Sequence, residues 1–139
     1  MNRRPPSNLR LLEKEFCSII IDMRDGDSTG KFSSMVFRRH TFSLIDGSKL
    51  YTTERISNNE ILYYHYDWMK DSSTTILKFH SESHAEDNRY QTTTEPHHIH
   101  PPDSSKLHNM VRYPNSSHQD LHAIFEFIFL YLLAQGVLK

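Results

Sequence analysis

The sequence has almost no cysteine and no excess of positive charge, and both shortages exclude classes of protein. Cys17 is the single cysteine among 139 residues, so an internal disulfide and a cysteine-rich zinc site are both excluded. We expect Cys17 to be a small buried apolar side chain. The 16 lysines and arginines are balanced by 17 acidic residues, for a formal net charge of -1. Any contact with a phosphate group must therefore come from a local patch.

Glycine-rich phosphate loops, a Gly-x-Ser-x-Gly motif and an apolar leader are also missing. The first eight residues are basic and proline-rich, unlike a secretory signal, and we interpret residues 1–8 as a flexible lead-in. Together with the cysteine usage, this favours a protein of the reducing cytoplasm. The length of 139 residues suits a single domain over residues 1–139.

The hydrophobic pattern predicts an α+β protein with a helix near each end. Ser7 or Asn8 is the expected N-cap of a first helix, whose apolar residues recur at helical spacing as far as Phe16. Alternating segments then predict strands at residues 34–45, 48–56, 61–68 and 74–80. Their connections are short, and Asp46-Gly47 suits a tight turn with positive φ at both positions. We therefore predict an antiparallel meander of four to five strands, with the N-terminal and C-terminal helices packed on one face.

The C-terminal segment 118–136 predicts a helix that is apolar on nearly every side. Ser117 with Asp120 three residues later is typical of an N-terminal cap, and Gly136 suits the position after the last turn. The segment is too short and too interrupted by charge to favour a membrane span. Two interpretations remain: its outer face is covered by another chain, as in a homo-oligomer, or the helix is fully buried in the core.

Histidine is the unusual residue, and it is concentrated in one part of the chain. Six of the ten histidines fall between His80 and His108. Residues 81–117 are polar and poor in apolar pairs, which predicts a long histidine-rich functional loop. Within it, the segment Pro96-His97-His98-Ile99-His100 is the strongest candidate site, because imidazole ordinarily changes charge near neutral pH.

These residue types suit phosphodiester cleavage without a metal ion. One imidazole can remove the proton of a 2′-hydroxyl, a second can protonate the leaving oxygen, and a lysine can offset charge on the phosphate. The predicted catalytic residues are His97, His98, His100, His84 and Lys78. The predicted substrate-binding residues are Tyr64, Tyr66, Arg38 and Glu54.

Two other interpretations of the histidine cluster stay open. Four imidazoles could bind Zn²⁺ or Ni²⁺, although adjacent His97 and His98 would point to opposite sides of an extended chain. The histidines could also be structural, forming hydrogen bonds at strand ends. Glu54 could equally be an exposed cross-strand partner of Arg38.

Several segments, taken in order, resemble the TumE-like family of small prokaryotic toxins. The segments are Asp46-Gly47-Ser48-Lys49-Leu50 with Glu54, Tyr64-His65-Tyr66-Asp67-Trp68, Leu77-Lys78-Phe79-His80 with His84, and Pro96-His97-His98-Ile99-His100. The last segment is the specific one. The chain departs from the family at Asp67, where the family usually has histidine after Tyr-x-Tyr. It departs again at Lys78, His80 and Ser81, within a stretch where the family has an arginine, an aromatic residue and an Asp-Asn pair.

The resemblance implies a toxin of a toxin–antitoxin pair, and hence a cognate antitoxin as partner. Combined with the chemistry of the histidines, it leads to the hypothesis of an RNA-cleaving toxin without a cofactor. The alternative hypothesis, from another class, is a non-catalytic binding module that docks a protein through the apolar C-terminal helix.

Overall fold

A seven-stranded antiparallel sheet forms the centre of the structure. The computed structural model describes residues 4–81, 96–100, 113–115 and 117–137. Within these ranges the order across the sheet is the order in sequence, so each strand pairs with the one before it. The strands are β1 (Ile20–Asp25), β2 (Phe37–Leu44), β3 (Lys49–Ser57), β4 (Glu60–Met69), β5 (Thr75–His80), β6 (His98–His100) and β7 (Tyr113–Pro114).

The antiparallel meander is confirmed, but the described sheet has more strands than the four to five predicted. The four strands predicted from alternation are β2 to β5. The β-branched run that ends at Ile21 favours a strand directly after the first helix, but the sequence left its boundaries open because the second half of β1 is charged. β6 and β7 have only three and two residues, too few to show a period in the sequence. Both lie inside the segment 81–117 that we predicted as a loop.

The two turns on either side of β3 differ in backbone geometry. Asn58 and Asn59 have φ values of 53° and 59°, as a two-residue type I′ hairpin requires. We predicted the same geometry at Asp46-Gly47, but there only Gly47 has a positive φ, of 88°. That prediction was wrong because the Asp46 carboxylate accepts bonds from the Ser48 N–H and hydroxyl. The resulting turn needs a left-handed conformation at glycine alone.

The first helix, α1 (Leu9–Glu15), is short and leads directly into the sheet. Asn8 is its N-cap, and the Asn8 side chain accepts a hydrogen bond from the Leu11 N–H. The helix ends at Phe16 and a turn connects it to β1. Cys17 lies in this turn and is exposed. The prediction of a buried cysteine was wrong because Cys17 falls between the two elements rather than on the apolar face of either one.

The second helix, α2 (Leu121–Ala134), is capped at both ends. Asp120 rather than Ser117 is the N-cap, and the Asp120 carboxylate accepts a bond of 2.8 Å from the Ala123 N–H. At the other end, Gly136 has φ 76° and its N–H donates to Leu133 O, while the next N–H donates to Leu132 O. This pair of bonds is a Schellman motif, which confirms the predicted role of Gly136.

Both helices pack on the same face of the sheet, as predicted. The ring of Phe125 in α2 lies 5.4 Å from the ring of Phe16 and 5.0 Å from the ring of Phe42 in β2. Trp68 in β4 packs on α2 through Phe127. All of these side chains belong to, or pack against, one hydrophobic cluster. Each large apolar side chain buried in it contributes about 1.5–3 kcal/mol to folding.

α2 is buried on one side only. Its fully buried side chains, such as Ile124, Phe125 and Ile128, face the sheet, whereas Leu130 is 60% exposed and Leu133 is 46% exposed. The interpretation as a fully buried core helix was therefore wrong, because nothing in the described part of the chain covers this outer side. Within the same ranges, no helix combines the length and the apolar character that a membrane crossing requires.

The alternation of the strands gives the sheet two chemically different faces. The helix face carries Leu50, Tyr66 and Trp68, which are buried under the helices. The face on the other side, which we call the outer face, carries the intervening residues, including Tyr63 and His65, and these are half-buried. In the described part of the chain, no helix covers the outer face.

Candidate active site

Three histidines meet on the outer face, where β5 and β6 pair. His80 is the register partner of His98, and Lys78 is the register partner of His100. The ring of His100 lies 4.7 Å from the ring of His80 and 4.9 Å from the ring of His98. His98 and His100 are buried, with 0% and 8% exposure. Residues two apart on a strand point to the same side, so β5 and β6 each contribute two side chains to one spot.

An aspartate holds the first of these histidines in position. The Asp67 carboxylate in β4 lies 2.8 Å from Nε2 of His80. Burial raises the pKa of Asp67, but the hydrogen bond from His80 and the charges of His80 and Lys78 outweigh burial and leave this pKa below its ordinary value. The carboxylate is therefore ionised at neutral pH and His80 is the donor, so the lone pair of a neutral His80 ring is on Nδ1.

Further contacts fix the other rings of the cluster. His65, the register partner of His80, stacks on it with ring centroids 4.1 Å apart. Nδ1 of His98 lies 3.1 Å from Pro96 O. A carbonyl oxygen can only accept, so Nδ1 of His98 is protonated and Nε2 carries the lone pair of the neutral ring. The neighbours of His80 and His98 thus set which nitrogen of each neutral ring carries the lone pair.

The cluster has the donors that a transition metal prefers. His80, His98 and His100 can each offer one ring nitrogen, and these nitrogens lie within 4.8 Å of one another. His80 is hydrogen-bonded to Asp67 and His98 to the Pro96 carbonyl, and metal-binding histidines usually have partners of these two kinds. These three histidines are the residues that could hold Zn²⁺ or Ni²⁺.

The predicted substrate-binding residues lie on the helix face instead. Glu54 is 2% exposed, and its Oε2 accepts hydrogen bonds of 2.5 Å from the Tyr66 hydroxyl and from the Ser7 hydroxyl. Arg38 is the register partner of Glu54 and donates to Ser7 O. Burial, and then the charge of Glu54, raises the pKa of Tyr66 far above its usual range. This network ties the N-terminal segment to the sheet, and Glu54 is not the exposed partner we considered.

The five predicted catalytic residues are divided between the two faces. Lys78, His98 and His100 come together on the outer face. His97 lies on the helix face, where its Nδ1 is 3.0 Å from the Tyr64 hydroxyl. Burial raises the pKa of Tyr64. His84 lies outside the described residues.

Sequence reasoning grouped His80 with Lys78 and His84 as suited to phosphodiester cleavage but left it out of the predicted catalytic residues, and it assigned no role in the site to Asp67 and His65. The alternation of the strands contained part of the signal. Residues 65 and 67 lie on one side of β4, and residues 78 and 80 lie on one side of β5. What the sequence did not show was the register that places β4, β5 and β6 side by side.

The fold and the cluster define a small α+β protein with a group of three histidines on the side of the sheet away from the helices. The family model described as Toxin TumE matches residues 8–129. The chain therefore belongs to the TumE toxin family, as its motifs predicted, and its role is that of a toxin. No curated protein and no solved structure matches the chain.

Two of the departures from the family resemblance, at positions 67 and 80, contact each other in the structure. Asp67 in β4 and His80 in β5 are joined by the 2.8 Å hydrogen bond described above. The two departures therefore form one pair of interacting side chains.

Proposed function

We propose that this toxin cleaves RNA at the outer-face cluster of His80, His98 and His100, with Asp67 and Lys78 beside them. The observation that supports this most directly is the convergence of three imidazoles, a carboxylate and a lysine from adjacent strands. The proposal places the toxin in the cytoplasm, with RNA as substrate and a cognate antitoxin as partner. The proposal assigns no role to His97, which lies on the helix face with its Nδ1 3.0 Å from the Tyr64 hydroxyl.

The reaction needs no metal ion and divides its proton transfers between two imidazoles. Neutral His80, oriented by Asp67, accepts the proton of the 2′-hydroxyl through Nδ1 as that oxygen attacks the phosphorus. The bond to the 5′-oxygen breaks, and protonated His98 or His100 donates a proton to this leaving oxygen. A 2′,3′-cyclic phosphate and a free 5′-hydroxyl result. Lys78 offsets the charge that develops on the phosphate oxygens.

Replacing His98 and His100 together by Ala tests the proposal. Each general acid or base ordinarily contributes about 10²–10⁴-fold to rate, so the double variant should lose RNA cleavage and growth inhibition on induced expression. His122→Ala is the matched control, because His122 lies exposed on α2. A double variant that folds and is as toxic as the wild type would remove these imidazoles from the mechanism.

A metal centre at the same three histidines is a second candidate, favoured by the three ring nitrogens within 4.8 Å. Imidazole nitrogen is an ordinary ligand of Zn²⁺ and of Ni²⁺. Elemental analysis of untagged, chelator-free protein distinguishes the two candidates. The acid–base proposal predicts cleavage that a chelator leaves unchanged, whereas a metal role predicts bound Zn²⁺ or Ni²⁺ and cleavage lost on its removal.

The exposed side of α2 supports a second interaction, with another copy of the chain. Leu130 and Leu133 are three residues apart on α2 and are 60% and 46% exposed, and Val137, just after the end of the helix, is 44% exposed. Residues at this spacing form one stripe on a helix, and we propose that two such stripes pack together in a homo-oligomer.

A further inference from the structure

We infer that the outer face of β2 to β5 is a binding track for single-stranded RNA that leads to the histidine cluster. The inference rests on the proposed function, because it identifies where the substrate lies next to the cleavage site. A flat sheet face with exposed rings is a surface on which unpaired bases stack.

A continuous row of rings crosses the outer face. The ring of Phe37 in β2 lies 6.5 Å from that of Tyr63 in β4, and Tyr63 lies 5.9 Å from His65. His65 in turn stacks on His80 at 4.1 Å, so the row ends in the candidate active site. From β2 to β6 the row spans four strand spacings, about 19 Å. That length accommodates several nucleotides rather than one.

Cations accompany the rings along the same face. The guanidinium carbon of Arg39 lies 4.4 Å from the ring centroid of Phe37, and that of Arg55 lies 5.1 Å from it. On the outer face of β2 to β5, the four cations Arg39, Lys49, Arg55 and Lys78 outnumber the two carboxylates Glu60 and Asp67. One of the four, Arg39, also forms an ion pair of 3.6 Å with Asp27 in the loop before β2. The whole chain has a formal net charge of -1, so positive charge is concentrated on this face. Guanidinium planes also stack on bases, which adds to the affinity for RNA.

The rings and cations of the outer face are only partly buried, which leaves part of each side chain accessible to a ligand. Phe37, Tyr63, His65 and Arg55 are all half-buried, whereas the rings on the helix face, such as Tyr66 and Trp68, are completely buried. The core therefore does not use the outer-face rings. Their alignment with cations and with the imidazoles points to a polyanion that carries planar bases.

Binding of an uncleavable probe tests the track separately from cleavage. The probe is a single-stranded 2′-deoxy oligonucleotide of about ten nucleotides, within the usual site size of such surfaces, which lacks the hydroxyl that the reaction requires. Tyr63→Ala and Phe37→Ala should each raise its Kd roughly 5- to 150-fold, the loss expected for one stacked base. Arg55→Ala should lower the slope of log K against log salt by about 0.7.

Leu62→Ala is the matched control, because Leu62 is an exposed neighbour of Tyr63 on β4, and its Kd should equal that of the wild type. Phe37→Leu keeps the apolar packing and removes the ring face, so it should bind as weakly as Phe37→Ala while keeping the wild-type melting temperature. Ring variants that bind like the wild type, equally tight binding of duplex RNA, or a wild type that does not bind the probe would each overturn the track. If the wild type cleaves no RNA but the ring variants still lose binding, the track stands and the proposed nuclease activity fails.

Discussion

The hydrogen bond between His80 and Asp67 connects a strand of the core sheet to the catalytic proposal. It is 2.8 Å long and lies between side chains that are 15% and 31% exposed, so solvent screens it less than a surface ion pair. It also fixes which nitrogen of His80 can act as a base. The same bond therefore contributes both to stability and to the orientation of the imidazole.

Because Asp67 and His80 are hydrogen-bonded to each other across β4 and β5, the double variant Asp67→His/His80→Asp should restore the pair with the two partners interchanged. Each single variant places two like groups beside each other and should lower both the melting temperature and the cleavage rate. The double variant should recover much of both, with a coupling energy of about 0.5–3 kcal/mol in a thermal and kinetic double-mutant cycle. Losses in the double variant that equal the sum of the single losses would show that the two positions act independently.

The Glu54 network predicts a stability effect away from the outer face. Tyr66→Phe removes the hydroxyl that donates to the buried Glu54 carboxylate at 2.5 Å, and a hydrogen bond to a charged group contributes about 1.5–3 kcal/mol. We expect a loss of that size in the free energy of unfolding, measured by urea denaturation. Tyr131→Phe, at an exposed position on α2, should have little effect, and an equal loss in both variants would contradict the assigned role of the network.

His40 predicts how stability depends on pH. Burial lowers the pKa of His40, assisted by Arg38, and outweighs the opposite influence of Asp25 and Glu54. As the pH falls, His40 is therefore protonated in the unfolded state at a higher pH than in the folded state. The free energy of unfolding decreases as the pH drops below about 6.5 toward the folded-state pKa. His40→Gln should flatten this part of the stability curve, measured by thermal unfolding between pH 8 and pH 5.

His122 provides the comparison of opposite sign. Its hydrogen bond with Glu15, together with the charges of Glu15 and Glu126, raises the pKa of His122 despite slight burial. The stabilising contribution of His122 is complete below about pH 6.5 and disappears as pH rises through the folded-state pKa. His122→Gln should therefore lower stability more at acid pH than at pH 8. The same direction of change in both histidine variants would contradict these pKa assignments.

At the scale of single elements, α2 depends on its N-terminal cap. Asp120→Ala should lower the free energy of unfolding by about 1 kcal/mol, because the Ala123 N–H loses its acceptor. Asp120→Asn keeps an acceptor and should retain most of the stability. The 3.6 Å pair of Asp120 with Arg4 is exposed and contributes little. An Asn variant as unstable as the Ala variant would mean that charge, rather than capping, is what α2 requires.

Elements with a clear period could be predicted from the sequence, and short elements could not. α2 and β2 to β5 have enough residues to show a helical or alternating pattern, and Asn8 and Gly136 were identified as caps from residue type alone. β6 has three residues and forms only because β5 presents a free edge to it. Its histidines could be singled out by composition. Tyr64 and Tyr66 were assigned to the substrate because the sequence alone does not show which side of β4 faces the helices. The register of β4 with its neighbours shows that both tyrosines are on that side.

For the whole molecule, the apolar stripe on α2 predicts self-association. If two stripes pack together, the wild type should be a dimer by light scattering after size exclusion, and Leu130→Lys/Leu133→Lys should be a monomer with an unchanged fold. Leu11→Lys, at a position on α1 that is 55% exposed, should leave the dimer intact. A wild type that is monomeric at high concentration would contradict self-association through the stripe.

The strictly sequential order of the strands has a kinetic consequence. Each strand pairs with the next strand in the sequence. Closing each pair therefore costs little chain entropy, and the sheet has a low contact order. The docking of the two helices is the exception, since the contact between His122 and Glu15 joins positions 107 residues apart. We expect the hairpins of the meander to form in the folding transition state, and the contacts between α1 and α2 to form afterwards. Substitutions at Phe16 or Phe125 would then accelerate unfolding more than they slow refolding.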